Sequence, residues 1–187
     1  MTALLGVAML AVVAAAVVLP RLPDAVRDLA LPLAHADIIR VQAADKDLDP
    51  SLVAAIIYAE SRFRDVTSHA GARGLMQITP ATARYIAQLS GGTAFEQGDL
   101  ATPKINISYG AFYLRYLLQR YGDNTVLALA AYNGGEGNVD RWIAEARTSE
   151  QAFDRSQIRF AETRAYVDRV LDARTKYRNR YSRELGL

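Results

Sequence analysis

Apolar positions fall along this chain in two regimes. From Thr2 to Leu19 they run unbroken: "TALLGVAMLAVVAAAVVL" carries no charge, and eighteen residues of helix at about 1.5 Å each reach roughly 27 Å, nearly the apolar thickness of a bilayer. Beyond that run they recur at helical spacing. In "LDPSLVAAIIYAES", Leu52, Ile56 and Glu60 are four apart and Val53 and Ile57 flank them, so a helix carries Glu60 on its apolar stripe. Asp49 as cap and Pro50 at the first helical position start that helix, which puts Glu60 in its last turn. Thr79-Pro80 and Thr102-Pro103 repeat the same start signal. The second of these opens a long helix from Pro103 to about Tyr121, closed by Gly122. "NTVLALAAYNGGEGN" reads as a short apolar helix running into a glycine loop, with two further helices near 138–147 and 162–180. No stretch of any length keeps a two-residue alternation. The predicted class is all-α, with room for a few residues of strand in the loop 90–102.

These patterns divide the chain into an N-terminal apolar helix over 1–19, a linker over 20–34 marked by Pro20, Pro23 and Pro32, and one domain over 35–187. The apolar segment reads as a membrane anchor or uncleaved signal. A cleavable signal normally carries Lys or Arg before its apolar run, which is missing here, and "AHA" at 34–36 lies well past the end of that run. A cleaved export signal and a buried core helix are the alternatives. Arg21 and Arg27 are balanced by Asp24 and Asp28, so flanking charge leaves the orientation open.

Composition narrows the function classes. With 22 basic and 20 acidic side chains the net charge is only +2, which makes no case for nucleic-acid binding. The basic excess is local, between Arg155 and Arg183, and reads either as a solvated helix face or as a contact for an anionic polymer such as membrane or wall. The absence of cysteine excludes disulfides, thiolate metal sites and a cysteine nucleophile. His35 and His69 lack metal-ligand spacing, so neither metal nor organic cofactor is expected.

Glu60 is the chemical candidate. Burial and the negative end of a helix dipole both disfavour the ionised carboxylate, and together raise its pKa toward 6 or 7, where it can act as a general acid. The structural alternative is a carboxylate at the edge of the core, paired with Arg62, Arg64 or Arg73. Asp65 reads as a turn former. Glu136 lies in a glycine loop with nothing to tune it, so no second catalytic carboxylate is evident.

Five blocks occur in one order: "ESRF", "SHAGARGLMQITPATA", "NISYGAFYL", "ALAAYNGGEGNV" and "ETRAYV". Over roughly residues 37–180 the chain thereby resembles the soluble lytic transglycosylase family, lysozyme-like (goose-type) enzymes that cleave peptidoglycan glycan strands. The resemblance implies that Glu60 is the single catalytic acid. It implies substrate-binding roles for Ser68 near the N-acetyl group, for Met76 and Gln77 lining the sugar cleft, and for Tyr132, Asn133 and Tyr166. Each residue also has a plain structural reading: a turn serine, core filler, packing aromatics, a helix cap. Asn106 reads as structural, and Gly110 as the close approach of two helices. The run from Glu60 to the GLMQ block is one residue shorter than the family's commoner pattern, which bears on where Ser68 sits.

The implied reaction needs one carboxyl group because the substrate's 2-acetamido oxygen serves as nucleophile, an exception to the two-carboxylate rule. Its product is a 1,6-anhydro sugar. A goose-type hydrolytic muramidase is the nearest alternative, and a non-catalytic peptidoglycan-binding component of a secretion or conjugation system is another. The partners implied are glycan strands, the bacterial membrane through the N-terminal helix, and cell-envelope machinery, with the domain on the periplasmic side.

Overall fold

A computed structural model describes residues 31–91, 97–148 and 153–187. The chain divides into two compact units, Met1–Leu33 and Ala34–Leu187. The apolar segment and most of the linker lie outside the described residues; among those described, no helix is long and apolar enough to cross a membrane.

The unit Ala34–Leu187 is helical. Its α-helices are α1 (Ala36–Asp45), α2 (Pro50–Ser61), α3 (Pro80–Ser90), α4 (Pro103–Arg120), α5 (Thr125–Gly134), α6 (Glu136–Thr148), α7 (Ala161–Arg180) and the short α8 (Ser182–Leu185). Short 3-10 turns occupy Gln97–Ala101 and Arg155–Gln157. α2 runs through the middle: Ser51 to Ile57 are all buried, as in a helix apolar on every side. α7 is its principal neighbour, with Tyr166, Val167, Val170, Ala173 and Tyr177 buried along one stripe. Ala54, Ala55, Ala128, Ala130, Ala131 and Ala173 are buried; side chains this small let the core helices approach closely.

Two of the three cap-plus-proline starts carry the side-chain bond expected of them. Asp49 accepts from the Ser51 amide at 2.9 Å and Thr79 from the Thr82 amide at 3.1 Å, while Thr102 makes no such bond. Asp49 also accepts from Arg174 and Arg178 at 2.7 and 2.8 Å, which staples the start of α2 to the far end of α7. Burial pushes this carboxyl up, but the bonds from Ser51, Arg178 and Arg174 outweigh it and hold it at about 2. Because the folded pKa lies below the ordinary aspartate value of 3.8, the stabilisation is present above pH 3.8 and disappears as pH falls through about 2. Asp49→Asn should cost about 2 kcal/mol at pH 7 and little at pH 2, measured by urea unfolding at the two pH values.

This pairing favours the solvated-face reading of the basic C-terminal segment over the anionic-polymer one. Arg174 and Arg178 hold Asp49, Lys176 pairs with Asp172, Arg155 with Asp168 and Arg159 with Glu145. Arg164 donates to the Ile158 and Arg159 carbonyls. Most of these cations are matched within the domain.

In the loop 90–102, where the pattern leaves room for a few residues of strand, Gln97–Ala101 forms a 3-10 turn, and 92–96 lie outside the described residues. The isolated bridges lie elsewhere, Thr67 with Arg73 and Arg73 with Ile78. There the chain doubles back on itself through positive φ at Gly71, Gly74 and Gln77. Bonds from the Ser68 amide to the Ala72 carbonyl, from Gly74 to Val66, and in both directions between Arg73 and Ile78 close the loop at 2.8 to 3.1 Å.

Candidate active site

Glu60 occupies the last turn of α2, as its spacing predicts. The next residue anchors the helix end: the Ser61 hydroxyl donates at 2.8 Å to the Leu75 carbonyl of the facing loop, and also reaches the Ile57 carbonyl at 3.1 Å. Arg62 and Phe63 then both adopt left-handed backbone, φ 53 and 61, which turns the chain sharply off the helix. The loop 64–79 is held opposite by one buried amide. Asn106 on α4 accepts from the Met76 amide at 2.8 Å and donates to the Arg73 and Leu100 carbonyls at 2.9 and 3.0 Å. Gly74 lies so close that a Cβ there would sit 2.2 Å from the Asn106 Nδ2.

Met76 is wholly buried and its sulfur would lie 2.3 Å from a Cβ at Gly110. The glycine therefore admits a loop side chain, not a second helix as its sequence suggests. A side chain without exposed surface supports the wall from behind, and what Met76 presents is its backbone: its carbonyl accepts from the Tyr132 hydroxyl at 3.0 Å.

Tyr132 and Tyr166 come from α5 and α7, and each is raised well above its ordinary pKa, first by burial and next by the Glu60 charge. Both phenols therefore stay protonated. The Tyr166 hydroxyl is buried and makes no hydrogen bond of good geometry among the described residues. It nonetheless lies near enough to Glu60 to favour the ionised carboxylate, as does the charge of Arg169 one turn along α7. Burial acts in the opposite sense and is the larger effect, so the Glu60 carboxyl is pushed up to about 7. Arg169 lies over the Tyr166 ring at 5.9 Å. It is the cation that acts on Glu60, where the sequence suggested Arg62, Arg64 or Arg73. Its signal was the three-residue spacing from Tyr166, legible only once that tyrosine was placed beside the acid.

The remaining candidates shape the surroundings. Asn133 accepts from the Thr163 hydroxyl at 2.8 Å and so links the end of α5 to the start of α7. Gln77 donates to the Val66 and Gly74 carbonyls, both at 2.9 Å, which locks the loop. The Ser68 hydroxyl accepts from the Ala72 amide at 3.0 Å and heads a tight turn. The structure thus brings Tyr132 and Tyr166 to Glu60, with Met76 behind Tyr132, while Ser68 and Gln77 hold the facing loop.

Glu136 differs most from its sequence reading. Only Gly135 separates α5 from α6, and Glu136 begins the latter helix. Its carboxylate accepts from Tyr113 at 3.2 Å and Tyr116 at 3.1 Å, and pairs with Arg120 at 3.3 Å. These donors come from α4, one face of which carries tyrosines at 113 and 116 and an arginine at 120, a set invisible while Glu136 was taken for loop. So engaged, it is not a free second base. Among the described residues no three His, Asp or Glu side chains converge in a metal-binding arrangement.

Comparison with known proteins places this geometry. The Transglycosylase SLT domain profile matches residues 37–154. The soluble lytic murein transglycosylase of Salmonella typhimurium is 39% identical over 152 residues, which is 79% of this chain and 23% of that protein. The membrane-bound lytic murein transglycosylase F of Cellvibrio japonicus is 35% identical over 138 residues, 70% of this chain and 25% of that one. Among solved structures, an inactive mutant of a lytic transglycosylase from Pseudomonas aeruginosa superposes with a TM-score of 0.74 at 33% identity, covering 83% of this chain and 25% of that one. The 70 kDa soluble lytic transglycosylase of Escherichia coli superposes equally well, at 0.74 and 34% identity, over 81% of this chain and 25% of its own. The chain thus spans about a quarter of the length of these relatives. The all-α, lysozyme-like expectation and the five ordered blocks agree with these matches: the chain belongs to the transglycosylase SLT domain family.

Proposed function

We propose that this domain is a lytic transglycosylase that cleaves the β-1,4 bond between N-acetylmuramic acid and N-acetylglucosamine in peptidoglycan. The observation that carries the reading is Glu60, an acid held neutral to about pH 7 by burial between two protonated tyrosines. A carboxylic acid with that pKa protonates a leaving oxygen at neutral pH. In the proposed sequence, the Glu60 proton passes to the bridging oxygen as the glycosidic bond breaks, and the substrate's acetamido oxygen bonds to the anomeric carbon. The Glu60 carboxylate then takes the proton of the same sugar's 6-hydroxyl. That oxygen displaces the acetamido group and closes the 1,6-anhydro ring, so no water is consumed. The buried Tyr166 hydroxyl, adjacent to the acid, is the donor assigned to the acetamido carbonyl in this reading. Ser68, Gln77, Tyr132 and Asn133 complete the substrate cleft in this reading, and Met76 backs it.

The relatives named lytic murein transglycosylases support this substrate class. In this reading the domain lies on the periplasmic side of the envelope, tethered by residues 2–19, within reach of envelope machinery that must pass the wall.

Digestion of purified sacculi with mass spectrometry of the released sugars tests the reaction. The expected product is lighter by one water than that of a hydrolytic muramidase; the heavier, reducing product would favour goose-type hydrolysis, and no release would favour a binding component. The rate should also fall about tenfold per pH unit above about 7, as Glu60 loses the proton it must donate.

A further inference from the structure

A run of tyrosines leads away from the acid. The Tyr132 ring lies 5.5 Å from Tyr113, Tyr113 lies 6.2 Å from Tyr116 with the two planes within 13° of parallel, and Tyr116 lies 5.8 Å from Tyr85. The run passes from α5 over α4 to α3, and its outer end reaches solvent, with Tyr85 37% exposed. Hydrogen bonds fix the rings in place. The Tyr85 and Tyr116 hydroxyls are 2.7 Å apart, and Tyr116 and Tyr113 each donate to one oxygen of Glu136 on α6. Arg120 bridges Glu136 and Asp140, so one guanidinium is shared by two carboxylates at the polar end of the cluster. Tyr116 also faces a groove of about 710 Å³, shared with Ile86, Leu89, Tyr109 and Phe112.

Bracing three helices needs buried contacts, yet here aromatic faces and paired hydroxyls are carried out to the surface, in line with Tyr132. A pyranose presents an apolar face of C–H groups and a rim of hydroxyls. Flat aromatic rings match the face, and a fixed carboxylate beside a guanidinium matches hydroxyl and amide groups on the rim.

We infer that Tyr85, Tyr116 and Glu136 form an outer sugar-binding position that holds the glycan strand beyond the residues flanking the cleaved bond. The inference rests on the glycan-cleavage reading above. Its occupant is the continuing N-acetylated amino-sugar chain, selected by continuity with Tyr132 and by the aromatic faces and hydrogen-bonding groups of the run. The consequence is a preference for long strands over short ones.

The test is calorimetric binding to the Glu60→Gln protein of GlcNAc–MurNAc strands of four and of eight sugars without stem peptides. The eight-sugar strand should bind more tightly. Tyr85→Ala should reduce that advantage about 5- to 15-fold, while Tyr85→Phe, which keeps the ring, should retain most of it. An undiminished advantage in Tyr85→Ala, or equal loss at both lengths, would overturn the outer position while leaving the glycan reading intact. A loss seen only with strands that carry stem peptides would overturn it too, by making the occupant a peptide. Failure of both strands to bind would remove the glycan reading and the outer position with it.

Discussion

Glu60→Gln is expected to lower muropeptide release by about 10³-fold or more while the protein becomes more stable at neutral and alkaline pH. The first effect follows because one group supplies both the acid and the base of the proposed reaction. Glu136, the acidic side chain on the adjoining tyrosine run, is held by Tyr113, Tyr116 and Arg120. The second effect follows from the raised pKa. An unfolded glutamate ionises near 4.5, whereas the folded Glu60 ionises near 7. Below pH 4.5 both states are protonated and the residue does not bias folding. Between these values the unfolded state gains from ionisation that the folded state resists, and above pH 7 the deficit levels off at about 3 kcal/mol. Glutamine cannot ionise and so escapes it. Urea titrations of both proteins at pH 4 and pH 8 should therefore agree at the lower pH and separate at the higher. A variant that is inactive and less stable at pH 8 would instead mean that Glu60 serves the fold.

Asn106→Ala is expected to be the most damaging single change away from the acid. Its side chain satisfies the buried Met76 amide and Leu100 carbonyl and the half-buried Arg73 carbonyl. Removing it strands the Met76 amide and the Leu100 carbonyl at about 1 to 3 kcal/mol each, while the Arg73 carbonyl keeps its bond from the Ile78 amide, for a net loss of about 2 to 4 kcal/mol. In a domain of this size that is a fall in melting temperature of about 10 °C. Asn106→Asp should fail as well, since it keeps the acceptor for Met76 but turns a carboxylate oxygen toward two carbonyls. Equal melting temperatures for wild type and Asn106→Ala would show that the loop is held by something else. Activity should fall further than stability does, because the same amide positions the Met76 carbonyl on which Tyr132 rests.

Each of these residues was partly visible in the chain. Glu60 stood out because its spacing from Leu52 and Ile56 is local, and a helix turns four residues into one face whatever surrounds it. Asn106 was recognised as structural, but its three partners lie 6 to 33 residues away. Met76 and Gln77 were placed by resemblance in the cleft, and the fold turns the first wholly inward and engages the amide nitrogen of the second with its own loop. Arg174 and Arg178 read in the sequence as either a solvated helix face or an anion contact, because Asp49, which they hold, lies 125 and 129 residues earlier.

What the sequence determined by itself was whatever depends on near neighbours: the helices and their cap-plus-proline starts at 49–50 and 79–80, the all-α class, and a carboxyl group on an apolar stripe. Tertiary structure alone decided which tyrosines face that carboxyl, which cation reaches it, and that Glu136 is caged by Tyr113, Tyr116 and Arg120. The reason is physical. Helical periodicity is set by bonds four residues apart, whereas burial, charge pairing and the pKa of an acid depend on whichever groups the packed helices bring within a few ångströms.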